Sequence, residues 1–165
     1  MKILILVRHA KSSWDHQGLD DMDRPLNEKG KKDAPEMAKR LKDKGLKLDQ
    51  IISSTAKRAR RTARYFAEEF DIKKDDIILT AELYMANRSG FYNTIASIKD
   101  KEEVVALFAH NPGITDFVNT LTNVRIDDMP TCGVFAVQAE TNNWEKFETA
   151  EKSFLFFDYP KNPLP

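Results

Sequence analysis

The chain has 165 residues, 41% of them hydrophobic, with Lys+Arg 26 balanced against Asp+Glu 26. That length and apolar content suit one globular domain over 1–165 rather than a disordered segment, and zero net charge argues against a chain built to hold nucleic acid. Cys132 is the only cysteine and the first apolar run is five residues long, which excludes an internal disulfide and a membrane span and points to a cytoplasmic setting.

The first predicted element is the strand Ile3-Leu4-Ile5-Leu6-Val7, followed at once by Arg8-His9-Ala10. A polar stretch over 10–26 reads as a long loop, a length that is often functional inside a compact domain. Asn27 then reads as the N-cap of a helix with Ala34, Met37, Ala38 and Leu41 on its apolar face, closed by Gly45. Ile51-Ile52 reads as a short buried strand, and Ser53-Ser54 as the cap of a helix striped by Ala59, Ala63, Phe66 and Phe70. A charged connector leads to the short strand Ile77-Ile78-Leu79, then to a helix over 88–99. The run Val104 to Ala109 is another buried strand, ended by His110-Asn111-Pro112-Gly113. Pro112 suits a first helical turn, with Ile114, Phe117, Val118 and Leu121 as the buried stripe. Two or three closing strands are predicted among Gly133 to Glu140, Trp144 to Glu148 and Phe154 to Tyr159, of which the first two can form a hairpin about Asn142-Asn143. Alternating strands and helices imply a three-layer α/β sandwich with a mainly parallel central sheet flanked by helices.

In such a sheet, ligands bind just beyond the carboxyl ends of the strands. Two of the three histidines, His9 and His110, stand there. Arg8 adjoins the first, and Arg58 lies in the first turn of the helix after Ser53-Ser54. Two arginines, two histidines and two helix N-termini would converge on one crevice. Arginine offers a forked donor to phosphate oxygens, helix N-termini favour anions, and histidine is a nucleophile or proton carrier near neutral pH. The set suits phosphoryl transfer, where positioning and charge stabilisation dominate. Other routes lack their residues: there is no Gly-x-x-x-x-Gly-Lys-Ser/Thr loop, no His-Glu-x-x-His, no Gly-x-Ser-x-Gly, and Gln138 stands where a cysteine phosphatase built on Cys132 needs arginine. Neither a metal nor a cofactor is expected.

Four stretches carry a resemblance. Leu6-Val7-Arg8-His9-Ala10 resembles an Arg-His-Gly/Ala signature. Asp23-Arg24-Pro25-Leu26-Asn27 with Gly30 resembles D-x-P-L-(T/S/N)-x-x-G. Ser53-Ser54-Thr55-Ala56-Lys57-Arg58-Ala59 with Thr62-Ala63 resembles S-S-P-x-x-R-A-x-x-T-A, and Phe108-Ala109-His110-Asn111-Pro112-Gly113 resembles a G-H-N-P-G form. In this order they resemble the histidine phosphatase (phosphoglycerate-mutase-like) superfamily, and within it the SixA-type phosphohistidine phosphatases. The resemblance implies that His9 is the phosphoryl-accepting nucleophile and that Arg8, Arg58 and His110 hold the oxygens. It also implies a basic residue at Arg24 near the pocket, a substrate-side place for Asn111 and a proton donor at Glu82. Ala10, Lys11, Thr55 and Ala109 depart from the commoner residues without removing a reacting group.

The chain lacks room for the insertions that cover the site in larger members, so the implied substrate is phosphohistidine on a partner protein, a phosphotransfer domain or carrier. A protonated phosphohistidine ring can leave as neutral imidazole, which makes an acid at Glu82 less necessary than for an ester. The alternatives are a phosphatase for small phosphate esters, sharing the site, and a non-catalytic phosphoprotein-binding module. No nucleic acid or membrane partner is expected.

Overall fold

The computed structural model describes residues 1–163. Six strands form one sheet in the order β3-β2-β4-β1-β5-β6: β1 Lys2–Arg8, β2 Gln50–Ser54, β3 Ile78–Thr80, β4 Val104–Ala109, β5 Val134–Ala139 and β6 Lys152–Asp158. β1 pairs parallel with β4, β4 with β2, and β2 with β3. β5 alone runs against its neighbours, pairing antiparallel with β1 and β6. This is the mainly parallel α/β sheet implied by the alternation of elements.

The strands nearest the centre are apolar on both faces because both faces are covered. Leu4 and Leu6 of β1 pack with Val105 and Leu107 of β4 toward Phe91, Ile95 and Phe117, which belong to α3 Arg88–Ala96 and α4 Gly113–Val118. Ile5 and Val7 point to the opposite layer and meet Ala34, Met37, Ala63 and Phe66 of α1 Glu28–Asp43 and α2 Lys57–Glu69. The period of two along β1 thus divides one strand between two cores.

The helix signals fall close to the observed ends. Asn27 caps α1, its side chain accepting from the Gly30 N–H at 2.9 Å, and Gly45 follows the C-terminus at φ +83°, a left-handed conformation that glycine adopts without strain. α3 ends at Ala96, short of 99, and Leu121 lies beyond the end of α4, although Ile98 and Leu121 are both buried.

Two expectations are corrected. Trp144 to Glu148 is not a strand: a 3-10 turn spans Trp144–Lys146. Trp144 and Phe147 stand three apart and are both fully buried, a spacing that a tight helical turn places on one side and a strand would split. The Asn143 side chain accepts from the Glu145 N–H at 2.8 Å and the Trp144 indole N–H reaches the Glu102 carbonyl at 2.7 Å, which fixes the turn. The closing hairpin therefore joins β5 to β6. Ser53-Ser54 does not cap α2; β2 runs through both residues, and Ala56 stands at the N-cap with no side-chain bond. Within the loop over 10–26, Ser12 bridges Leu26 and a 3-10 turn spans Asp21–Asp23.

Candidate active site

The sheet brings β1, β4 and β2 side by side, so Arg8-His9, His110 and Ser54 emerge together at one end, where α2 also begins. Two adjoining cavities open there. One, about 310 Å³, is lined by Arg8, His9, Arg24, Arg58, His110 and Trp14 among others. The second, about 720 Å³, is lined by Asp21, Tyr84, Met85 and Phe117, and again by Arg58 and His110. Arg58, His110 and Asn111 form the wall common to both.

His9 is buried at 6% exposure. Its Nδ1 lies 2.7 Å from the Ala10 carbonyl oxygen. A carbonyl only accepts, so Nδ1 carries the proton and Nε2 is left with its lone pair. Burial, together with the neighbouring His110, Arg58 and Arg8, holds the ring well below the usual histidine range. A neutral ring with a bare Nε2 is the form that a nucleophile needs. The strand end is pinned by backbone: the Cys132 N–H reaches the Arg8 and His9 carbonyls at 3.0 Å each, and the Ala10 N–H donates to Thr62 Oγ1 at 2.9 Å.

The His9 and His110 rings are 5.0 Å apart between centroids. His110 Nε2 contacts Ser54 Oγ at 2.8 Å, and its Nδ1 is buried without a partner. The Ser54 oxygen already accepts from the Ala56 N–H. When its hydroxyl donates to Nε2, the proton of a neutral His110 rests on the unpartnered Nδ1. Burial and the Arg58 charge push His110 down to about 3.

Arg58 is buried, donating through Nη1 to the Asp21 carbonyl at 2.7 Å and through Nη2 to Asp21 Oδ2 at 2.9 Å. Arg8 donates to the Met129 carbonyl at 2.8 Å. Nε of both arginines is buried and unsatisfied. Buried donors without partners are costly and uncommon, and several together at one cavity mark a place for an anion. Arg24 belongs to the same site: it donates to Asp21 Oδ1 at 3.1 Å and Ser12 Oγ at 2.8 Å, under the exposed Trp14 ring at 3.5 Å.

Two expected residues stand differently. Glu82 is exposed on a 3-10 turn at Ala81–Leu83 and lines neither cavity. Asn111 lines both, but its amide is occupied: Nδ2 donates to Asp128 and the Met129 carbonyl, and Oδ1 accepts from Thr115. These bonds tie the loop after β4 to Asp128, Met129 and Thr115. Sequence reasoning missed Asp21 and Tyr84, whose hydroxyl donates to Asp21 Oδ2. The available signal was an acid three residues before Arg24 in a polar loop that follows the first histidine. Among the described residues, no group of three or more His, Cys, Asp or Glu side chains is arranged to hold a metal ion, and no helix is long and apolar enough to cross a membrane.

A family model for the histidine phosphatase superfamily, branch 1, matches residues 4–84, and an uncharacterised chloroplastic protein of Arabidopsis thaliana is 31% identical over 87% of this chain and 69% of its own. The chain belongs to the histidine phosphatase superfamily. A 2,3-bisphosphoglycerate-dependent phosphoglycerate mutase of Bartonella henselae is 32% identical over 62% of this chain and 48% of its own, so the chain spans about half the length of that mutase. Among solved structures, a SixA phosphohistidine phosphatase of Agrobacterium tumefaciens has a TM-score of 0.80 at 27% identity, covering 96% of this chain and 98% of that one. A protein histidine phosphatase SixA solved with tungstate shares the fold at a TM-score of 0.79 and 18% identity, covering 96% and 97%. The fold is thus that of this superfamily at the compact size of the SixA proteins.

Proposed function

We propose that this histidine phosphatase removes the phosphoryl group from phosphohistidine on a partner protein, in two steps and without a metal. Family membership and the SixA neighbours support a phosphatase; the chemistry of the cavity residues supports the substrate and the residue roles. The observation that carries it is the buried, neutral His9 with a bare Nε2, set within a cluster of unsatisfied cationic donors. In the first step Nε2 attacks phosphorus, the P–N bond to the substrate imidazole breaks, and the phosphoryl group passes to His9. Arg8, Arg58 and Arg24 neutralise the oxygens, with His110 Nδ1–H as a further donor; their charge makes the site complementary to the spread negative charge of the transferring group. Water then attacks phosphorus, the P–Nε2 bond breaks, and phosphate departs with His9 regenerated.

A protein-borne substrate fits the open mouth, where Trp14 and Met85 are largely exposed at 78% and 86% and nothing in the described chain folds over them. The test is a substrate panel: a phosphohistidine-bearing phosphotransfer domain against small phosphate esters, with and without chelator. The reading expects a kcat/KM for the phosphoprotein at least tenfold above the esters and unchanged by chelator. Higher kcat/KM on sugar phosphates, or loss of turnover with chelator, would replace it.

A further inference from the structure

We propose that Asp21, oriented by Tyr84, is the proton donor to the leaving group, and that the arriving phosphoryl group arms it. The inference rests on the two-step reading above and deepens it, because that reading leaves the acid unassigned once Glu82 is found outside both cavities.

The geometry is one of opposite sides. His9 lines the smaller cavity and not the larger; Asp21 and Tyr84 line the larger and not the smaller; Arg58 and His110 form the wall between. A phosphoryl group held on that wall meets the nucleophile from one side. In-line displacement then expels the leaving atom on the other, toward Asp21. No other carboxylate shares the cavity wall with Arg58 and Tyr84 so closely: the only other acid lining that cavity is Asp116 of α4, which makes no ion pair or hydrogen bond to either arginine among the described residues.

Arming follows from the charges. In the free protein Asp21 lies between Arg58 and Arg24 at 2.9 and 3.1 Å and accepts from the Tyr84 hydroxyl. These contacts hold its carboxyl far below the ordinary carboxylate range, so it stands ionised and satisfies the cations as an anion. A phosphoryl group drawn to the same arginines brings more negative charge, takes their donors and leaves the carboxylate beside a like charge. Both effects favour the protonated acid. Asp21 takes up a proton on binding and, as His9 Nε2 bonds to phosphorus and the bond to the leaving atom breaks, gives it to that atom. The Asp21 carboxylate then receives a proton from the attacking water as the P–Nε2 bond breaks, and releases it when phosphate leaves.

The test is the dependence of the Asp21→Asn defect on the leaving group. p-Nitrophenolate departs readily without a proton, whereas an alkoxide does not. The expected result is a loss of about 100-fold or more in kcat on an alkyl phosphate and less than about threefold on p-nitrophenyl phosphate, with Glu82→Gln unchanged on both. Tyr84→Phe, which keeps the carboxylate but loosens it, shows a smaller loss of the same selectivity. With a phosphohistidine protein, the Asp21→Asn defect grows as pH rises and the substrate ring loses the proton that lets it leave unaided. Equal losses on both esters, a pH-independent defect on phosphohistidine, or the selective loss appearing in Glu82→Gln would overturn the proposal. Rapid quench of the same reactions separates it from the reading beneath: label absent from His9 in the wild type sinks the two-step reading, while label on His9 with no leaving-group dependence sinks only the role of Asp21.

Discussion

At the residue scale, the site is a set of groups held in forms that only an anion makes comfortable. His9 and His110 are pushed down mainly by burial, and three ring or guanidinium nitrogens have no acceptor. The unfolded chain protonates both histidines near 6.5, whereas the folded free enzyme resists protonation, His110 down to about 3. The unfolded state therefore binds more protons in that interval, and the contribution of both rings to stability is fully present above about pH 6.5 and falls as pH drops toward 3. Denaturant melts from pH 8 to 4 should show this decline, and His110→Gln should flatten it; a decline that is the same in His110→Gln would contradict the account. A bound phosphate analogue, by pairing with the rings, should raise their folded-state pKa toward the unfolded value and so shrink the decline. Arg8, His9, Arg58 and His110 were legible because each stands at a strand end or a helix first turn. Asp21 and Tyr84 were not, because their meeting depends on how a loop and a turn 63 residues apart fold over α2.

At the element scale, the long loop after β1 is anchored by Ala10 and Leu26 in the core and tied together by backbone bonds. The Asn27 N–H donates to the Lys11 carbonyl at 3.0 Å and the Ser13 N–H to the Pro25 carbonyl at 2.8 Å. α1 passes so close that a Cβ on Gly30 would sit 2.2 Å from the Lys11 carbonyl oxygen. Gly30→Ala must therefore push the loop that carries Ser12, Asp21 and Arg24. The expected result is a stability loss of about 1–3 kcal/mol together with a lower kcat, measured by melts and by turnover at saturating substrate. Full activity at reduced stability would mean that the loop does not position the arginine. The elements that periodicity revealed are those with one buried face of regular spacing, such as α1. Trp144 to Glu148 misled although the spacing of Trp144 and Phe147 favours a tight turn, because the bonds that fix the turn come from Glu102 and Asp100, remote in sequence.

At the scale of the whole molecule, the closing strand is tied to the first helix by a buried ion pair. Arg40 reaches Asp158 at 3.1 and 2.6 Å and also donates to the Asn162 carbonyl at 3.1 Å. Removing one partner leaves the other charge buried, so Asp158→Ala should cost about 3–5 kcal/mol and lower Tm without altering kcat at a temperature where the variant is folded. An altered kcat there would mean that β6 contributes to the site. The ends of β1, β2 and β4 bring Arg8, His9, Ser54 and His110 together, and the proposed reading is that the open mouth around them takes phosphohistidine on another protein. The central claim is that His9 carries the phosphoryl group. Rapid quench with a 32P-labelled phosphohistidine protein, followed by peptide mapping, should give an acid-labile, alkali-stable label on His9 in the wild type and none in His9→Ala; label that persists in His9→Ala, or maps to another residue of the wild type, would contradict it.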